Sequence, residues 1–274
     1  MTPKRPILRY HGGKWRLARW ILSHFPKHRI YAEPYGGAAS VLLQKSRAYC
    51  EVYNDLDGEV VNLFRVARDS GKDLVRALEL TPFARAEYRE SFREEVCDPV
   101  ERARRTVVRS FMGFGSNALC RRSGFRANSN RSGTTPAHDW QNFPEALVDI
   151  IERLRGVVIE NRPAFEVMAA HDSPETLHYC DPPYLWETRS KAMHGHRGYR
   201  FEMSESDHAE MAGFLKTLKG SVVVSGYPSP FYDELFDGWK TVSIAALADG
   251  AKQRTEMLWL SPGSHGAAQT RLAL

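Results

Sequence analysis

Short apolar strands alternate with helical stretches at both ends of the 274-residue sequence, and a long polar stretch separates the two series. In the first series, residues 15–25 set Leu17, Ala18, Ile21, Leu22 and Phe25 at helical spacing. Residues 30–32 follow as a strand, Glu33-Pro34-Tyr35-Gly36-Gly37 as a turn, residues 38–43 as a second helix, and residues 48–53 as a strand closed by Asn54-Asp55. The second series predicts helices over 143–154, 163–170 and 206–218 and strands over 157–160, 176–180, 221–225, 240–244 and 256–260. Such alternation requires a mostly parallel sheet covered by helices, and sheets of that kind collect their ligands at the carboxyl ends of the strands.

Between the two series, helices are expected from residue 60 to about 110, with breaks at Pro82 and Pro99. Residues 111–139 are rich in Gly, Ser, Asn, Thr and Arg and read as a long irregular loop. The whole chain carries 38 Lys and Arg against 33 Asp and Glu, a modest net charge of +5. Its distribution says more, because Arg102 through His138 holds eight arginines and no Asp, Glu or Lys. That pattern fits a polyanionic partner or a solvated basic face. Phe111, Phe114 and Phe125 punctuate the stretch and can either stack on bases or pack a small core. The four scattered cysteines and the absence of an apolar leader or a membrane-length run fit reduced thiols in a soluble cytoplasmic protein.

Four short segments carry chemistry. Gly36-Gly37 after a strand allows tight turning and close backbone approach to a ligand, although a turn needing glycine for its own dihedrals explains it too. Asp55, one strand later at the same sheet edge, can accept hydrogen bonds from ribose hydroxyls or cap a helix, with Asp57 the less favoured acid. Lys14, beside Gly12-Gly13, lacks the spacing of a phosphate loop but can pair with a ligand carboxylate. Asp181-Pro182-Pro183-Tyr184 ends a predicted buried strand. Its two prolines remove backbone donors and leave carbonyl acceptors, so Asp181 and the Pro182 carbonyl can take the two hydrogens of an exocyclic amine. Tyr184 offers a face for a base, and Ser225-Gly226-Tyr227 either lines the same pocket or forms a turn. His171, His178, His194, His196 and His208 show no metal-ligand spacing, and no metal is expected.

In this order, RYHGGK at 9–14, AEPYGGAASVLL at 32–43, YNDLD at 53–57 and YCDPPY at 179–184 resemble the Dam-type, alpha-group (D12 class) N6-adenine DNA methyltransferases, from about residue 8 to residue 260. The resemblance implies an α/β fold, with a Rossmann-like S-adenosylmethionine-dependent sheet at 1–57 and 155–261. A mainly helical and loop target-recognition domain would be inserted at 58–154, followed by a flexible tail at 262–274. It assigns Tyr10, Lys14, Glu33, Pro34, Tyr35, Gly36, Gly37, Asp55, Asn161, Phe165 and Asp181 to the cofactor, which leaves as S-adenosylhomocysteine. Asp181, Pro182, Pro183 and Tyr184 match the catalytic motif, and Arg109, Arg121, Arg122, Arg126, Asn128 and Arg131 are the DNA-contact candidates. Glu256 and Arg254 match only a general feature of the fold.

The implied reaction transfers a methyl group to the N6 of an adenine flipped out of a short specific sequence in double-stranded DNA. Residues 121–140 look more like phage and prophage versions than the housekeeping one, so the target sequence is not carried over with the family. A cognate restriction endonuclease and either a monomer or a weak dimer are compatible with this reading. The alternatives are N4-cytosine or RNA-adenine methylation and a noncatalytic DNA-binding protein on the same fold. A nicotinamide oxidoreductase would leave the proline motif and the arginine stretch unexplained.

Overall fold

A computed structural model describes residues 2–93, 96–115, 118–119, 122–128, 133–189, 198–247 and 253–263. The proposed tail lies almost wholly outside the described residues, as do Arg121, Arg131, His194 and His196. Seven strands among them form one sheet: β1 (Ile30–Glu33), β2 (Cys50–Asn54), β3 (Val157–Glu160), β4 (Thr176–Cys180), β5 (Ser221–Gly226), β6 (Lys240–Leu247) and β7 (Gln253–Leu260). Their order is β3-β2-β1-β4-β5-β7-β6. The first five run parallel, and β7 is antiparallel to both β5 and β6. The chain winds outward from β1 through β2 to β3, then returns to place β4 on the other side of β1. The crevice between β1 and β4 is therefore the switch point where such sheets bind ligands.

Period-two alternation along the strands buries both faces. Leu177, Tyr179, Val223, Leu258 and Leu260 enter one core, while Cys180, Val222, Val224 and Trp259 enter the other. The second core is closed by Met168 of α8 (Ala164–His171), by Met211, Ala212 and Leu215 of α9 (Glu205–Leu215), and by Tyr232 of α10 (Pro230–Leu235). The first core continues without interruption into the helices inserted between β2 and β3. These are α2 (Gly58–Asp69), α3 (Gly71–Glu79), α4 (Arg85–Glu90), α5 (Pro99–Met112), α6 (Pro136–Gln141) and α7 (Phe143–Leu154). Phe64 of α2 stacks on Tyr53 of β2 at 4.3 Å. Arg153 of α7 grips Glu51 of β2 through two hydrogen bonds of 2.7 and 2.9 Å and also donates to the Leu42 carbonyl at 2.8 Å. This buried, bidentate pair ties the inserted helices to the segment that follows β1.

Several expectations change. The helix over 15–25 shortens to α1 (Ala18–Ser23). No helix forms at 38–43: Ala39 has φ +51, and the Leu42 N–H, which a helix would use internally, donates to the Glu33 carboxylate at 3.0 Å. The stretch becomes a string of turns around that carboxylate. The break expected at Pro99 is present as the start of a new helix, with the proline in the first turn of α5 and Asp98 capping the exposed N–H groups. The loop over 111–139 is shorter than its composition suggests, because α5 runs to Met112 and α6 begins at Pro136. Cys50, Cys97 and Cys180 are free thiols. No helix among the described residues is long and apolar enough to cross a membrane.

Candidate active site

The loops leaving β1, β2 and β3 are locked together by one buried amide. Asn54 donates to the carbonyls of Pro34 (2.9 Å) and Arg162 (3.0 Å) and accepts from the Arg162 N–H (2.9 Å). Within the first loop, Gly36 N–H donates to the Asn54 carbonyl at 2.7 Å, and a side chain on Gly36 would run into the Tyr53 ring. Gly37 has φ +47, a conformation that favours glycine, and its N–H meets the Asp55 carboxylate at 2.8 Å. The second Asp55 oxygen accepts from Asp57 N–H at 2.7 Å.

These loops enclose a cavity of about 340 Å³ over the carboxyl ends of β1, β2 and β4, within the size range of small-molecule sites. The turn from Glu33 to Gly37, Asp55, Phe165 and Asp181 line it, with Tyr10 and Lys14 from the amino-terminal segment and Pro183 from the proline motif. Phe165 presents a flat face held by stacking on Phe214 at 4.8 Å. Asn161 is not part of the lining: it braces the second loop by donating to the Asp55 carbonyl at 2.7 Å. Asp57 caps α2 and pairs with Arg200 at 2.8 Å.

Two acids of the cavity, Glu33 and Asp55, have no ion pair with any of the described residues. Burial pushes Glu33 up to about 8, and proximity to Asp181 adds to the rise, although hydrogen bonds from Tyr31 hydroxyl (2.8 Å) and Leu42 N–H oppose it. Burial likewise pushes Asp55 up to about 6 against the backbone N–H groups of Asp57, Gly37 and Leu56. Deeper in the site, Asp181 accepts from Ser225 hydroxyl at 2.7 Å and from Lys14 at 3.0 Å. Burial alone would depress the Lys14 ammonium, but Asp181 and Glu256 outweigh it and hold the group above its ordinary value. The ammonium also stands 4.5 Å over the Tyr184 ring, which meets Tyr227 in a T-shaped contact at 4.7 Å. Pro182 and Tyr184 do not line this cavity, which the proline motif meets through Asp181 and Pro183.

One wall was not legible as a motif. Residues 199–203 close over the cavity, with Tyr199 6.3 Å from Tyr10 and packed so closely on Gly12 that a side chain there would strike its hydroxyl. The segment is anchored by Arg189, which pairs with both oxygens of Glu202 at 3.0 and 2.8 Å, and by Arg200 on Asp57. Nothing in the local sequence announces these contacts, because each joins residues distant in the chain or in irregular backbone.

The arginine-rich stretch is acid-free in sequence but not in space. Arg102 and Arg109 meet Glu59, Arg104 meets Glu87 and Glu101, and Arg105 meets Glu101. Arg126 is buried against Asp139 at 3.1 Å. Of the DNA-contact candidates, Arg109 and Arg126 thus serve contacts inside the protein, while Arg122 and Asn128 are exposed. Phe111 is buried and Phe125 packs against Phe83 and Tyr88, whereas Phe114 is 71% exposed. His178 faces Asp172, and His208 accepts or donates at Tyr232 hydroxyl, 2.9 Å away. No cluster of His, Cys, Asp and Glu suited to a metal occurs among the described residues.

Comparison with known proteins agrees with this geometry. The family described as D12 class N6 adenine-specific DNA methyltransferase matches residues 10–249. A DNA adenine methylase of Haemophilus influenzae is 25% identical over 246 residues, covering 86% of this chain and 84% of its own. The DNA adenine methylase of Escherichia coli K12 is 27% identical over 235 residues, 83% and 82% of the two chains. A protein of Lactococcus lactis named type II methyltransferase M1.LlaDCHI is 27% identical over 270 residues, 90% of each chain. The match spans both halves of the sheet, the glycine turn, Asp55 and the Asp181 motif, and the chain belongs to the D12 class of N6 adenine-specific DNA methyltransferases.

Proposed function

We propose that the cavity holds S-adenosylmethionine and that Asp181, the Pro182 carbonyl and Tyr184 present a flipped adenine of double-stranded DNA for direct methylation at N6. The observation that carries this reading is the pairing of under-compensated acids with a ligand-sized cavity at the β1/β4 switch point. A cationic ligand with free hydroxyls relieves both Glu33 and Asp55, which is what this cofactor offers. The residues therefore fit the group. Asp55 has lone pairs left after its backbone bonds and would accept from the ribose hydroxyls. Lys14 would hold the methionyl carboxylate with Tyr10 alongside, the Glu33-to-Gly37 turn would wrap the methionyl part, and Phe165 would cover the adenine ring. When bound, the cofactor supplies a methyl group already activated on a sulfonium centre.

The chain's own residues then act by orientation. Asp181 accepts one hydrogen of the target amine and the Pro182 carbonyl the other, which directs the nitrogen lone pair across the cavity. Gaining the methyl group would leave N6 positively charged, and Asp181, the carboxylate already accepting from that amine, would take its surplus proton or pass it to solvent. Tyr184 carries the base. In this reading residues 1–57 and 155–261 perform the chemistry, while residues 58–154 present exposed Phe114, Arg122 and Asn128, from the irregular segment between α5 and α6, to the duplex. Beside DNA, a cognate restriction endonuclease is the partner class suggested by the name of the Lactococcus relative.

Asp55→Ala tests the cofactor assignment. Losing hydrogen bonds to a charged acceptor is expected to weaken S-adenosylhomocysteine binding by about 10- to 100-fold in calorimetric titration, with the melting curve monitored to confirm folding. Unchanged affinity in a folded variant would remove Asp55 from the site.

A further inference from the structure

Glu256 lies outside the cavity lining, yet it is only 4% exposed. Because β7 runs against β5, with Met257 opposite Gly226, its amino-terminal part reaches the sheet edge where the parallel strands end. Glu256 is thereby carried to the back of the Asp181 motif. Its Oε1 accepts a hydrogen bond from the Tyr184 hydroxyl and lies 3.6 Å from Lys14 Nζ. Tyr227 makes a T-shaped contact with the same ring, and Arg254 lies 5.7 Å over Tyr227. The ring of Tyr184 is thus fixed at its tip by Glu256 and at its side by Tyr227.

A buried carboxylate in this place costs stability. Burial raises Glu256, and Lys14 together with the Tyr184 hydrogen bond offsets that rise only in part. An apolar residue would fill the space without that cost, but it would leave a buried phenol hydroxyl without an acceptor and the ring free to tilt. We propose that Glu256 is a positioning residue for methyl transfer, fixing the ring of Tyr184 as the platform on which the target base is held. The proposal rests on the reading that Tyr184 carries the base. Glu256 itself touches neither base nor cofactor, so its effect passes through Tyr184.

The test uses the full chain with unmethylated genomic DNA, saturating S-adenosylmethionine, and the variants Glu256→Ala, Glu256→Gln, Tyr184→Phe and Tyr184→Ala. Glu256→Ala is expected to lower kcat by about 10- to 100-fold, with S-adenosylhomocysteine affinity within about threefold of the parent. Glu256→Gln keeps an acceptor oxygen and is expected to restore most of the rate. In the Tyr184→Phe background, where no hydroxyl remains to be held, Glu256→Ala is expected to cost less than about threefold. If the alanine variant does not fold, Glu256→Leu keeps the volume without the acceptor and replaces it. A loss of equal size in both backgrounds, or no rescue by glutamine, overturns the proposal. Tyr184→Ala separates the two layers of the argument. Full kcat in that variant removes the base-platform reading, whereas a strong loss there beside a harmless Glu256→Ala removes only the positioning role.

Discussion

Asp181→Ala is expected to lower methyl transfer by about 100- to 10,000-fold while S-adenosylhomocysteine still binds. Asp181 stands immediately after β4, with Ser225 and Lys14 fixing one of its oxygens at 2.7 and 3.0 Å. Alanine removes the acceptor proposed to orient the target amine, yet Asp55, proposed to hold the ribose, and the glycine turn belong to other loops and stay in place. A second consequence concerns stability. Lys14 is 5% exposed and would retain only Glu256, at 3.6 Å, as an ionic partner, and stripping a buried charge of its partner costs several kcal/mol. The variant should therefore melt earlier than the parent. Methyl transfer from labelled cofactor, read beside calorimetric binding, checks the prediction. Substantial turnover by Asp181→Ala would remove the residue from the reaction.

Gly36→Ala is expected to abolish cofactor binding and to destabilise the fold. A Cβ at this position would strike the Tyr53 ring and stand 2.9 Å from the Asn54 carbonyl oxygen. Neither neighbour can give way: Tyr53 stacks on Phe64, its hydroxyl donates to the Gly37 carbonyl at 2.7 Å, and Gly36 N–H is bound to that same Asn54 oxygen. The turn has to move, and Gly37 N–H then leaves Asp55. Overpacking of this kind costs about 1–3 kcal/mol or more. Gly124 has no atom within 4 Å of the corresponding position, so Gly124→Ala is the matched control and should be neutral. Melting curves and S-adenosylhomocysteine titration of both variants read the result, and a Gly36→Ala protein that binds as the parent does would show that the turn is not part of the site.

Helix α7 and strands β3 and β4 stand at the boundaries their periodicity predicts, because each is a short apolar pattern closed by a local stop signal. Asp55, Asp181 and the glycine turn were readable for the same reason: each follows directly on a strand. The segment after Gly37 was not, since a long-range contact, Glu33 with Leu42 N–H, replaced the helical bond that its composition favoured. Helix α10 carried a readable signal in Ser229-Pro230, a cap followed by proline in the first turn. Arginines 102 to 126 show the reverse limit. The stretch itself holds no acid, but its arginines meet Glu59, Glu87 and Asp139, brought in from other helices, and Glu101, which sits just before the stretch on the same helix α5. Charge runs report on solvent exposure only where the fold supplies no opposite charge. The wall at 199–203 and the contact of Glu256 with Tyr184 were beyond reach because tertiary proximity alone creates them.

The most direct test of the account is the identity of the methylated base. Purified protein is incubated with S-adenosylmethionine carrying a labelled methyl group and with unmethylated genomic DNA, the DNA is digested to nucleosides, and the modified positions are mapped in parallel. The account predicts label in N6-methyladenine, confined to one recurring short sequence. Label in N4-methylcytosine, or label in RNA with none in DNA, would contradict it.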